Sequence, residues 1–133
     1  MNEDKILSHD SKRCSYLSVT QFRTLEDWCL LVADMFGRNP YLVGSTATSP
    51  DWRDVDIRLP LADADYEQID TLLSMQRLGH IVSIWGQQVT GLPIDFQLQR
   101  HSEFVTYKAP SNPMGIRDKL SPTVQQVPEA NHE

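Results

Sequence analysis

No stretch of this sequence is apolar over the roughly 20 residues that a membrane-spanning helix requires, and the opening MNEDKILSHD holds no apolar core of a secretory leader. Those absences predict a cytoplasmic chain with no membrane partner. Cysteine is scarce as well. Cys14 and Cys29 have neither the spacing of a zinc site nor the number needed for a disulfide framework, and Cys29 falls in an apolar helical pattern that places it in the core. His80, His101 and His132 show no ligand-like spacing. Basic charge is in deficit: 12 Lys and Arg stand against 18 Asp and Glu, for a net charge of -6. That balance gives no general electrostatic footprint for nucleic acid, although Arg53, Arg58, Arg100, Lys108, Arg117 and Lys119 leave room for a local basic patch. Internal repeats and long low-complexity tracts are also missing.

At 133 residues the chain suits one domain with one core. Residues 1–15 are polar and aperiodic and read as a flexible N-terminal arm. Residues 16–110 carry the domain, and residues 111–133 form a polar, proline-containing tail predicted to be largely disordered. Thr24 with Asp27 resembles a capping box, after which Leu25, Trp28, Cys29, Val32 and Phe36 share one helical face until Gly37 stops the helix. Pro40–Gly44 reads as a short buried strand and Ser45–Arg53 as a polar loop.

Strict alternation from Asp54 to Leu59 predicts a strand with Val55, Ile57 and Leu59 on one face and Asp54, Asp56 and Arg58 on the other, closed by Pro60. Asp63 is positioned to cap a second helix carrying Tyr66, Ile69, Leu72 and Leu73 that ends near Gly79. Ile81, Ile84, Trp85 and Val89 fit a third, shorter helix ending at Gly91, with a strand as the alternative. Ile94, Phe96 and Leu98 alternate with Asp95, Gln97 and Gln99 in a further strand. The order predicts an α+β fold, a small mixed β-sheet with helices packed on one face.

The chemistry-bearing residues are Gly44-Ser45 at the end of the first strand, Asp54 and Asp56 on the next, and Asp95 on a later one. Magnesium takes octahedral oxygen ligands and commonly binds through one or two carboxylates plus substrate phosphates. Residues two apart on a strand point the same way at a Cα separation of roughly 6.5–7 Å, so Asp54 and Asp56 can reach one ion. Crowding such charges is costly without a cation, which predicts that at least one of these carboxyls titrates above its ordinary range when no metal is bound. Gly44, lacking Cβ, lets backbone approach a phosphate closely, while the Ser45 hydroxyl and adjacent N–H groups donate to its oxygens.

Val43-Gly44-Ser45, then Asp54-Val55-Asp56-Ile57, then Asp95 in Pro93-Ile94-Asp95-Phe96 resemble the nucleotidyltransferase superfamily of the DNA polymerase β type. There a Gly-Ser or Gly-Gly pair precedes a strand of two alternating aspartates, and a third carboxylate comes from a following strand. The resemblance spans about Thr24 to Gln99, the family's minimal catalytic core. It implies a nucleotidyltransferase-like fold and Mg²⁺- or Mn²⁺-dependent transfer of a nucleoside monophosphate from a nucleoside triphosphate to a hydroxyl, with release of pyrophosphate.

It further implies that Gly44 and Ser45 bind triphosphate, that Asp54 and Asp56 ligate metal, and that Asp95 ligates the catalytic metal and activates the nucleophile. Arg58, on the aspartates' face, is placed to touch a phosphate or to form an ion pair. Small bacterial members often carry Arg soon after the Gly-Ser pair, where this chain reads Thr46-Ala47-Thr48. Larger members hold the acceptor in an added domain that this chain is too short to contain. The acceptor, whether small molecule, protein or RNA end, is therefore open, and a homo-oligomer or partner subunit is compatible with its supply. Two other readings remain: a non-catalytic nucleotide-binding or antitoxin-like module of the same fold, and a metal-dependent nuclease.

Overall fold

Ser18 starts the first helix, six residues before Thr24. In the computed structural model, which describes residues 15–106 and 110–116, the Ser18 hydroxyl accepts from the Gln21 N–H while the Gln21 side chain accepts from the Ser18 N–H. This reciprocal cap opens α1 (Val19–Phe36), so Thr24 lies inside the helix and caps nothing. Leu25, Trp28, Cys29 and Val32 are buried, and Gly37 ends the helix in the left-handed conformation.

The remaining elements are β1 (Tyr41–Val43), α2 (Ser45–Thr48), β2 (Val55–Leu61), α3 (Asp63–Leu72), α4 (Met75–Thr90), β3 (Ile94–Arg100), α5 (His101–Phe104) and β4 (Asn112–Pro113). The strands form one mixed sheet in the order β3-β2-β1-β4. β1 runs antiparallel to both β2 and β4, and β2 runs parallel to β3. A parallel pair needs a crossover connection, which α3 and α4 provide. Val55, Ile57 and Leu59 alternate into the core with Ile94, Phe96 and Leu98 beside them. Trp28 of α1 closes that core with its ring edge-on to Trp85 of α4 and Phe96 of β3, at centroid distances of 5.6 and 6.2 Å. This is the expected α+β arrangement of a small mixed sheet with helices on it.

Several boundaries differ from the sequence reading. Part of the expected loop after Gly44 is the helical turn α2. Asp54 sits in a bend ahead of β2 and does not belong to the strand. Pro60 does not close β2, which runs on to Leu61. β1 pairs with β2 only as far as Arg58, so Pro60 lies where one side of the strand has no ladder to break. Asp63 is the first helical residue, not the cap, and its carboxylate accepts from the Ser102 N–H.

The second and third helices divide at Ser74, whose hydroxyl accepts from the Arg77 N–H, and not at Gly79. Ile81 and the residues after it are therefore the second half of one long helix. α4 is also rotated from expectation: Gly79, Val82, Ser83 and Gly86 face inward, while Ile81, Ile84 and Val89 are exposed. Leu72 and Leu73 are exposed as well, so α3 contributes no fully buried side chain.

The fold also passes the expected boundary at residue 110. β4 pairs with β1, Met114 is buried, and Glu26 accepts hydrogen bonds from the N–H groups of Gly115 and Ile116. The rest of the expected tail and the expected arm before Ser15 lie outside the described residues. No helix among the described residues is long and apolar enough to cross a membrane.

Small residues on the inner face of α4 let large rings approach it. A Cβ at Gly86 would stand 2.7 Å from the Trp28 ring. Alanine ordinarily favours a helix interior over glycine by about 0.8–1.0 kcal/mol, but overpacking a full core costs about 1–3 kcal/mol. Gly86→Ala is therefore expected to lower the unfolding free energy, read as a lower urea midpoint. A raised midpoint would mean that helix propensity outweighs the contact.

Candidate active site

The face of the sheet opposite the core carries the charged residues that alternation puts there. Asp56 on β2 and Asp95 on β3 are register partners in the parallel pair, so their side chains leave adjacent strands side by side on one face. Neighbouring strands lie about 4.7–4.9 Å apart, which sets the scale of that separation. Arg58 follows two residues later on the same face and opposite Gln97. Asp54 lies before the strand begins and is exposed. Asp56 and Asp95 thus form a pair held by sheet register, and Asp54 joins it only through charge.

Gly44 meets this pair from β1. Its φ of 78° lies where L side chains rarely go, and a Cβ there would collide with the Asp56 carboxylate. Val43 is the β1 partner of Asp56, so Gly44 leaves the strand directly beside that carboxylate. Ser45 then opens the turn α2, without any side-chain cap at its N-terminus. Thr46 is fully buried and its hydroxyl has no hydrogen-bond partner among the described residues, an unusual state for a polar group.

Arg58 supplies the opposite charge. One guanidinium nitrogen lies 3.8 Å from an Asp56 oxygen and 3.9 Å from an Asp95 oxygen. The other donates to the backbone carbonyls of Ile57 at 3.1 Å and Asp95 at 3.0 Å. The carboxylate distances are too long for hydrogen bonds, so carbonyls hold the guanidinium while its charge faces both acids.

Burial is the largest influence on Asp56 and pushes its carboxyl above the ordinary value of 3.8. Arg58 pulls it down, while Asp95, through charge and a hydrogen bond, and then Asp54 push it up. The upward direction matches the sequence expectation, but desolvation comes before like-charge crowding among its causes.

Two cavities border these residues. The smaller, of about 250 Å³, is lined by Val43, Gly44, Asp56, Arg58 and Phe104, together with Gln97 and Gln99. The larger, of about 780 Å³, touches Asp95 and lies along β3 and the first half of α4. Gln97 and Gln99 line both. Tyr66 and Arg100 also line the larger cavity, with the Arg100 guanidinium 4.4 Å from the Tyr66 ring centre. Arg100 is engaged by Glu67 and Glu103 as well, so it is not part of a free basic patch. Phe104 carried no sequence signal because α5 follows the point where periodicity fades. Trp52 packs partly buried against the core.

Among the described residues no group of three or more His, Cys, Asp or Glu side chains is gathered to hold a metal ion. The expected triad of Asp54, Asp56 and Asp95 is therefore a pair with a neighbour. Mg²⁺ commonly binds through one or two carboxylates alongside phosphate oxygens and water, and here the two adjacent carboxylates are already faced by the Arg58 guanidinium. No family model, curated protein or solved structure matches the chain.

Because the fold raises the Asp56 titration point, it binds that proton more tightly than the unfolded chain does. This stabilises the fold below the ordinary carboxyl value and is lost as pH rises through the raised one. Asp56→Asn removes that loss, so at pH 7 it is expected to melt a few degrees above the unaltered protein. The difference should vanish at pH values below the ordinary carboxyl range. An Asp56→Asn protein that melts lower at pH 7 would show that Arg58 pairing outweighs desolvation.

Proposed function

We propose that the chain is a metal-dependent nucleotidyltransferase that moves a nucleoside monophosphate from a nucleoside triphosphate to a hydroxyl acceptor and releases pyrophosphate. The observation that carries this reading is the convergence of Asp56 and Asp95, from two paired strands, with Gly44, from the turn that follows β1. A glycine cradle beside paired carboxylates suits a triphosphate, whereas a metal-dependent nuclease has no use for the cradle. The supply of nucleoside triphosphate agrees with a cytoplasmic location.

In this reading the triphosphate lies against the turn from Gly44 to Thr46: the missing Cβ lets that backbone stand directly beside the Asp56 carboxylate, and the Ser45 hydroxyl donates to phosphate oxygens. Asp56 and Asp95 would hold Mg²⁺ or Mn²⁺, which when bound supplies charge neutralisation for the phosphates and lowers the pKa of the attacking hydroxyl. Arg58 lines the Gly44 cavity and is placed to pair with phosphate oxygen.

The acceptor approaches from the larger cavity, which Asp95 borders. Its hydroxyl oxygen bonds to the α-phosphorus, the bond from that phosphorus to pyrophosphate breaks, and the hydroxyl proton passes to Asp95. Most of the acceleration comes from positioning and charge. The geometry supports Asp56 and Asp95 as the working pair and does not support Asp54 as an equal third.

One observation favours a second reading. Arg58 already sets one positive charge against the two carboxylates, as it would in a nucleotide-binding module that has no need of metal. Labelled nucleoside triphosphates, incubated with Mg²⁺ or Mn²⁺ and fractionated cell extract, distinguish the two. A labelled metabolite, RNA or protein is expected, and Asp56→Asn or Asp95→Asn should reduce labelling by about 10²–10⁴-fold without loss of fold. Triphosphate binding that persists in EDTA, with no labelled product from any fraction, would establish the binding module instead.

A further inference from the structure

Arg58 stands where a metal ion shared by Asp56 and Asp95 would need to put its charge. Its outer nitrogen is nearly equidistant from the two carboxylates, and its side chain is only 17% exposed. Carbonyls from β2 and β3 fix the guanidinium there: Ile57 belongs to its own strand and Asp95 to the neighbour. Those carbonyls keep the charge facing both acids without either carboxylate gripping it. The arrangement satisfies the pair's need for a cation and leaves the carboxylate oxygens uncommitted to Arg58 hydrogen bonds.

We propose that Arg58 is the resident cation of this site, and that a divalent ion displaces its charge efficiently only when a triphosphate is present to receive the guanidinium. This inference rests on the nucleotidyl-transfer reading. A divalent ion and a guanidinium repel when both face the same two carboxylates, so the ion alone binds against Arg58. A triphosphate at Gly44 lies in the cavity that Arg58 also lines, and its oxygens accept bidentate guanidinium hydrogen bonds that the standing-off carboxylates do not. Moving Arg58 onto phosphate takes its charge away from Asp56 and Asp95. Metal and triphosphate then bind with positive coupling, and the coupling is the same whichever is measured first. The consequence is a site closed to free metal, with Arg58 setting the order of assembly.

The test measures Mn²⁺ binding by loss of the free-ion paramagnetic resonance signal, with and without a triphosphate bearing a non-cleavable α,β-methylene bridge. The unaltered protein is expected to bind Mn²⁺ at least tenfold more tightly with the analogue than without it. Once the Mn²⁺ held by the analogue in protein-free mixtures is subtracted, Arg58→Gln should bind Mn²⁺ alone at least tenfold more tightly than the unaltered protein. It should still gain from the analogue, since phosphate oxygens coordinate the ion, but at least threefold less than the unaltered protein does. Thermal melting checks that the variant folds. If it does not, the Arg58 side-chain N–H resonance of the unaltered protein gives the answer: it should move with Mg²⁺ plus analogue and stay in place with Mg²⁺ alone.

Equal Mn²⁺ affinity of Arg58→Gln and the unaltered protein, with binding abolished by Asp56→Asn, would overturn the role of Arg58 and leave metal-dependent transfer standing. Tight Mg²⁺ binding without analogue and without movement of the Arg58 resonance would overturn it as well. Absence of Mn²⁺ binding even with the analogue would remove both the inference and the reading beneath it.

Discussion

Two carboxylates placed opposite each other in a parallel strand pair repel, and the register that places them there is fixed by the core. Val55, Ile57 and Leu59 must point inward together with Ile94, Phe96 and Leu98, and a slip of one residue would turn either apolar set toward solvent. The same register sets Asp56 beside Asp95. The sheet therefore cannot relieve the repulsion by sliding. It is offset locally by the Arg58 guanidinium, and Gly44 keeps the neighbouring backbone close to Asp56 by having no side chain to interpose.

That rigidity is underwritten by the layer behind the sheet. α4 lies close to β3 because it presents glycine and serine to it: the Ser83 hydroxyl accepts from the Phe96 N–H, and the Gln87 amide donates to the Ile94 carbonyl. These bonds satisfy polar groups on an edge strand that would otherwise be open to pairing. Trp28 then fills the space that Gly86 leaves. The strand carrying Asp95 is thus held from one side by β2 and from the other by α4, the kind of support a site built to a fraction of an ångström requires.

Asp56 and Asp95 are not equivalent in this setting. Asp56, with 19% of its side chain exposed, lies in the smaller cavity with Gly44; Asp95, at 44%, borders the larger one. A triphosphate at the first and an acceptor in the second would meet across Gln97 and Gln99. In the proposed transfer reaction this asymmetry would give the more buried acid to binding and the more open acid to proton transfer.

The sequence alone determined the two alternating strands, the apolar face of α1, the α+β class and the residues that share a polar face, because strand alternation and helical periodicity are local properties of the chain. Ser18 with Gln21 is a fuller capping-box pattern than Thr24 with Asp27, and the reciprocal hydrogen bonds at Ser18 start the helix there. The outward turn of Ile81 and Ile84 ran against periodicity: close approach to β3 demanded small residues inward, and a hydrophobicity pattern cannot register that demand. Met114 joined the core through β4, a pairing with β1 across more than half the chain. Tertiary structure alone decided that Asp56 lies opposite Asp95, that Asp54 stands outside the strand, and that the Arg58 guanidinium faces both members of the pair. Each of these is a relation between strands, set by register and by where a ladder ends, and no single strand's sequence specifies its neighbour.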